Sequence, residues 1–192
     1  GENTYCAELH IESPEDEFLF GLGQFQDGYL NVRGLSRRLT QVNTQISIPF
    51  VLSNKGYGLL WNNYGLTDFN PSEQKIIFQK QEENGEKTVV DVTSTEGDKK
   101  EVRQSNIFIS KLTLPKSGRY ALLLDVGQQM ARTHHLAIDG KTIVEVKNIW
   151  LPPTTSVIVD LEAGEHQVMA RLEKDDRPVL YYNCLLYTSP SP

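Results

Sequence analysis

The stretch RYALLLDVGQQMARTHHLAIDGKTIVEVKN, residues 119–148, decides the fold class. It holds three runs rich in branched, aliphatic and aromatic residues, with polar residues alternating through the last two. Side chains of a strand point to opposite faces with period two, so these runs read as strands. Asp139-Gly140 separates the second run from the third, and Asp-Gly between alternating runs is the strongest short-range hairpin signal.

The pattern continues outward in both directions. Towards the C-terminus come SVIVDLEAG, EHQVMARLE and PVLYYN, with Gly164 marking a further turn. Towards the N-terminus come NIFISKLTL and TVVDVTS, then QKIIFQK, YGLLWNN, ISIPFVLS and EFLFGLG. Gly56 in SNKGYG is available for a turn at positive φ. The spacing is near the 8–12 residues of a sandwich. Sustained helical periodicity is absent; only LSRRLTQ, residues 35–41, suggests a single helical turn. The charged stretch QEENGEK, residues 81–87, interrupts the pattern. The expectation is an all-β protein of two consecutive β-sandwich units. Residues 1–80 form an incomplete first unit, 81–88 a linker and 89–183 the second unit.

The chain of 192 residues suits one large or two small domains, each able to bury a core. With 39% hydrophobic and 23% charged residues it has a globular composition. The net charge is −6 and no Lys/Arg cluster stands on a candidate recognition element, which argues against nucleic acid as a partner. No apolar run reaches the roughly 18 residues that a membrane-spanning helix needs. The chain begins with Gly1 rather than Met, so the lack of a leader says nothing about export. Cys6 and Cys184 do not make a disulfide framework, and no spacing suggests a metal site.

Several blocks in residues 20–63 occur in a telling order: Phe20 to Gln24, Arg33-Gly34, Asn43-Thr44, Pro49-Phe50, Gly56 to Gly58, and Trp61 to Asn63. In that order they resemble the N-terminal, galactose-mutarotase-like β-sandwich of glycoside hydrolase family 31. The second unit resembles a protective-antigen-type module, a β-sandwich found inserted in glycosidases. Its cues are Gly118 and Tyr120, then Asp139-Gly140, then Leu161, Gly164 and His166. Such an insert directly after the family 31 blocks is similar to the arrangement of bacterial α-xylosidases and α-glucosidases. The resemblance covers residues 18–183. It implies that the chain would next return to the first sandwich and enter a (β/α)₈ barrel carrying an acid–nucleophile aspartate pair. Instead CLLYTSPSP, residues 184–192, breaks the alternation, carries two prolines in three residues, and looks like a translated sequencing adapter. The expectation is a fragment of a longer chain with a non-native tail.

In family 31 the loop before the Pro-Phe strand reaches over the barrel and helps shape the outer sugar subsite. Gln41, Asn43, Thr44 and Gln45 occupy that place in LTQVNTQIS, residues 39–47. Their amide and hydroxyl groups suit hydrogen bonds to sugar hydroxyls. The loop is short, so the inserted module would supply the missing wall. An ordinary polar turn is the competing reading. Trp150 in NIWLPPT could stack its indole on a pyranose, or pack in the core. Trp61, inside an alternating strand, reads as core. Asp175-Asp176 in EKDDRP could bind calcium, but a solvated hairpin turn is the better reading. His134 and His135 point to opposite strand faces and cannot share a metal ion. Asp27 and Arg33 are either turn residues or a structural ion pair.

The expected function is the accessory, substrate-site-shaping part of a retaining α-glycosidase, without catalytic residues, cofactor or metal of its own. The implied partners are an oligosaccharide or polysaccharide with α-linked xylose or glucose and the catalytic barrel of the same parent chain. The parent would be exported, to the periplasm or cell surface of a bacterium. The rival readings are a non-enzymatic carbohydrate-binding or adhesin module and a structural spacer.

Overall fold

The computed structural model describes residues 6–81, 87–94 and 97–185. All the regular structure among them is β. The first unit comprises β1 (Leu19–Gln24), β2 (Arg37–Leu39), β3 (Ile46–Ser53), β4 (Gly58–Leu60) and β5 (Thr67–Phe69). β1, β3 and β4 form an antiparallel sheet, and β2 pairs with β5 as a separate ribbon. β1 reads Gly-Leu-Gly because β3 passes so close. Gly21 and Gly23 have φ of 117° and 106°. A Cβ on Gly23 would stand 2.1 Å from the Ile46 carbonyl oxygen. The register slips between the two glycines, which identifies a bulge. It turns Leu22 inward, where Leu22, Val32 and Val51 form a small core.

The second unit adds β6 (Lys75–Ile77), β7 (Gln79–Lys80), β8 (Lys87–Ser94), β9 (Gly97–Leu114), β10 (Gly118–Asp125), β11 (Ala131–Ile138), β12 (Lys141–Leu151), β13 (Thr154–Leu161), β14 (Gly164–Glu173) and β15 (Val179–Leu185). One sheet runs β13-β10-β15-β6; the other runs β12-β11-β14-β9-β7, with β8 paired to the first half of β9. Tyr120, Leu122 and Leu124 of β10 meet Leu136, Val168 and Leu172 of the facing sheet in one core. Asp139-Gly140 makes the expected β11–β12 hairpin, with Asp139 itself at φ 49°.

Five details differ from the sequence expectation. The pairing change falls before Lys75 rather than at Gln81: β6 pairs with β15, β7 with β9, and Phe78 lies in the large core. Of the expected linker, residues 82–86 lie outside the described residues, and Lys87 already belongs to β8. LSRRLTQ contains strand β2 rather than a helical turn, because β5 supplies it with a partner edge. The Asp175-Asp176 turn closes no hairpin, since β14 and β15 lie in opposite sheets. Cys184 and Leu185 have fixed places in β15, opposite Tyr120 and Arg119. The Leu185 side chain lies over Gly34, where a Cβ would come within 2.8 Å of it. The rest of the expected tail, residues 186–192, lies outside the described residues.

The units are packed together. Ala121 and Leu123 alternate with the core residues of β10, so they face outward, yet both are buried. The first unit faces Leu123: Ser36, Phe69 and Pro71 border the same narrow gap. Polar ties run along this seam. The Ser156 hydroxyl donates to the Ser36 carbonyl at 2.5 Å, and the Ile158 amide donates to the Tyr29 hydroxyl at 2.8 Å. Arg38 joins Asp68 at 2.9 Å and Asp125 at 2.5 Å.

Two outcomes are expected. Phe78→Ala should destabilise the second unit by about 3–5 kcal/mol, the cost of emptying an aromatic site in a core. Urea unfolding followed by Tyr120 amide exchange measures this, and a loss below about 1 kcal/mol would place Phe78 outside that core. Second, β3 leaves Ile46, Ile48, Phe50 and Leu52 exposed on one face, beside Leu60 of β4. So much contiguous apolar surface promotes association. Ile48→Thr with Leu52→Thr should reduce light scattering while leaving the melting temperature within about 2 °C.

Candidate functional site

The turn before β3 is two residues long. The Val42 and Gln45 amides and carbonyls bond reciprocally, at 3.2 and 3.1 Å, around Asn43-Thr44. This turn abuts the connection from β12 to β13, where the Thr44 hydroxyl donates to the Trp150 carbonyl at 2.6 Å. Between the two elements lies a cleft of about 50 Å³, bordered by Phe25, Thr44, Gln45, His134, Val146 and Pro152 among others. Small-ligand pockets hold roughly 300–1,000 Å³, so this is a recess in a wall rather than an enclosing site.

The five candidate contacts divide. Gln41 and Asn43 are exposed on the turn. Trp150 is 43% exposed and its amide is held by the Asn148 side chain at 3.1 Å. Thr44 is half-buried and its hydroxyl proton is committed to Trp150. Gln45 is buried and its amide nitrogen donates to the Thr40 carbonyl at 2.7 Å, so it braces the turn. The structure therefore joins Thr44 to Trp150 and leaves Gln41, Asn43 and Trp150 exposed, while Gln45 is buried and borders the cleft.

No protein-family model matches the chain. It is 41% identical over 83 residues to an α-xylosidase of Saccharolobus solfataricus, covering 38% of this chain and 11% of that protein. It is 48% identical over 59 residues to an uncharacterised family 31 glucosidase of Pseudescherichia vulneris, covering 31% and 11%. A solved GH31 α-xylosidase of Xanthomonas citri superimposes with a TM-score of 0.56 over 94% of this chain and 23% of its own, at 21% identity. Part of the chain is similar to family 31 α-xylosidases and glucosidases. The chain spans only 11% of the length of these curated relatives, and the solved structure establishes the likeness of fold.

Bordering the cleft is a charged pair that the sequence left open. Asp27 pairs with Arg37, not Arg33: the Arg37 Nη2 stands 2.6 Å from both carboxylate oxygens. The Arg37 side chain is 2% exposed, with its guanidinium 4.0 Å over the Phe25 ring. Burial pulls the Arg37 pKa down, and the Asp27 charge opposes it. Arg33 instead grips the Ser13 hydroxyl and carbonyl, both at 3.0 Å. The available signal was the Arg37-Arg38 doublet in a strand-like run, since a buried arginine must find a counter-charge.

His134 also went unrecognised as part of this wall. Its Nε2 donates to the Pro152 carbonyl at 2.9 Å, fixing the β12–β13 connection. Burial pushes the imidazole down to about 4, so it is neutral near pH 7. His135 is buried too, on the other face of β11. Of the aspartate pair, Asp175 is exposed but Asp176 is buried, its carboxylate accepting the Glu173 amide at 2.9 Å. Burial pushes Asp176 up to about 7, so the solvated-turn reading fails for that residue. Among the described residues no group of three or more His, Cys, Asp or Glu side chains could hold a metal ion.

Asp27→Ala should cost about 3–5 kcal/mol, because it strands a buried guanidinium without its partner. Urea unfolding of the full chain measures it. A cost under about 1 kcal/mol would mean that Arg37 is effectively solvated.

Proposed function

We propose that the chain is the accessory, substrate-site-shaping part of a family 31 retaining α-glycosidase, with the first unit as its N-terminal sandwich and the second as a protective-antigen-type insert. The parent enzyme acts on a terminal α-linked xylose or glucose and is exported from a bacterium. The observation that carries this reading is the hydrogen bond from the Thr44 hydroxyl to the Trp150 carbonyl, which joins the amide-bearing turn of one unit to the segment of the other that carries the exposed Trp150. Amides suit sugar hydroxyls, and an indole face suits the C–H face of a pyranose. The partial similarity to α-xylosidases points to the same substrate class.

The cleft's own chemistry is that of contact without cleavage. A retaining glycosidase needs two carboxyl groups about 5–5.5 Å apart, one of them a free nucleophile. Among the described residues Asp27 is the one carboxylate bordering the cleft, and Arg37 stands within hydrogen-bond distance of both its oxygens.

The test uses the full chain. It should leave aryl α-xylosides and α-glucosides uncleaved. It should also bind oligosaccharides with terminal α-xylose or α-glucose weakly, with amide shifts confined to Gln41, Asn43, Thr44 and Trp150. Trp150→Ala should weaken that binding at least tenfold, about 1.4 kcal/mol. Absence of shifts at these residues with every such sugar at millimolar concentration would overturn the site. Equal binding of sugars lacking α-linked residues would favour a general carbohydrate-binding module instead.

A further inference from the structure

The second unit carries a side-chain cluster with no part in the cleft. β13 runs from Thr154, which borders the cleft, to Leu161, so the β13–β14 turn stands at the strand's far end. The β11–β12 turn at Asp139-Gly140 reaches the same end, because the Asp139 amide donates to the Gln167 carbonyl of β14 at 2.9 Å. Between the two turns lies His166. It is buried at the head of the inward row that continues with Val168, Ala170 and Leu172.

Both ring nitrogens of His166 face acceptors. Nε2 lies 2.8 Å from the carbonyl oxygen of Glu162, in the β13–β14 turn. A carbonyl oxygen cannot donate, so Nε2 carries a proton. Nδ1 lies 2.6 Å from Oδ2 of Asp139, in the β11–β12 turn. The other oxygen of that carboxylate accepts the Gln167 amide at 2.8 Å. The His166 contact and the Gln167 amide hold Asp139 below its usual range, so it is an ionised acceptor and Nδ1 is protonated as well. A neutral imidazole has only one N–H and would leave one of these contacts acceptor-to-acceptor.

We propose that His166 is a doubly protonated imidazolium in the folded chain and clasps the two turns that close this end of the second unit. The end is fastened at mildly acidic pH and loosened at alkaline pH.

The surrounding charges support the cation. Asp139 acts from the β11–β12 turn and Glu162 from the β13–β14 turn, while burial opposes them. The Glu162 carboxylate accepts the Ser117 hydroxyl at 2.6 Å. On the neighbouring strand Lys111 is tied to Glu165 at 2.8 Å, and the register partner of His166 is Leu112. From the facing sheet, the Tyr120 hydroxyl donates away, to the Lys116 carbonyl at 2.7 Å.

The hydrogen bond to Asp139 raises the His166 pKa above the ordinary 6.5. A raised basic group contributes fully below its unfolded pKa, and the contribution is lost as pH rises through the folded value. Asp139 is lowered from 3.8, so its share is present above that value and is lost as pH falls through its folded value. The clasp is therefore complete between roughly pH 4 and 6.5.

Nitrogen–proton correlation spectra of the full chain test this, with His166→Gln identifying the resonance among the four histidines. Both His166 ring nitrogens should read as protonated near about pH 6, with a titration midpoint above 6.5. Asp139→Asn should move that midpoint down towards the ordinary value. The melting-temperature gap between the native chain and His166→Gln should be about 3 °C or more near pH 5.5 and shrink by at least half near pH 9. A midpoint at or below 6.5, or a gap equal at both pH values, would overturn the clasp. If His166→Gln does not fold, the native titration compared with Asp139→Asn decides.

Discussion

Strand β10 is apolar on both faces, and the arrangement of the two units follows from that constraint. Tyr120, Leu122 and Leu124 fill the sandwich core, which leaves Ala121 and Leu123 aimed at what would otherwise be water. Covering apolar surface returns about 25 cal/mol per Å², and an antiparallel sheet needs such cover on only one face unless its sequence demands two. The ribbon β2–β5 and the chain around Pro71 lie beside Leu123. Polar ties run along the same seam. Arg38 reaches Asp125 at the end of β10, and Ser156 reaches the Ser36 carbonyl. Such pairs set the register of a seam more than its strength, because partly exposed ion pairs contribute little.

The fold class was legible because period-two alternation and Asp139-Gly140 are local signals. The boundary between units was not. QKIIFQK alternates as well for one sandwich as for another, and only long-range pairing shows that β6 and β7 complete the second unit's sheets. The same limit explains Cys184 and Leu185. Two prolines further on make the segment look like a chain end, yet β10 offers an edge long enough to hold both residues. The continuous run ALLL in β10 did carry information: an unalternated apolar run marks a strand buried on both faces.

The contact between the two candidate segments was legible in part. The turn at residues 42–45 and Trp150 were both identified as polar or aromatic features at loop entries, and the fold places Thr44 and Trp150 in contact. What composition could not reveal was commitment. Gln45 is chemically as suited to a sugar as Asn43, but its side chain already satisfies the Thr40 carbonyl. Asp27 had two arginine doublet members and Arg33 within ten or so residues, and sequence spacing alone cannot choose among them. Burial chooses: Arg37 is the one whose guanidinium lies under the seam, where an unpaired charge is least tolerable.

Both Asp27 oxygens face a guanidinium that is itself stacked on Phe25, so the carboxylate and its counter-charge are paired within the wall. His134, the other titratable group in the wall, is neutral and spends its Nε2 proton on the Pro152 carbonyl. The charged and basic groups of the cleft are thus consumed in holding the turn, the seam and the β12–β13 connection in place. The charges that border the cleft are paired within the wall itself, and the exposed Gln41, Asn43 and Trp150 carry no charge.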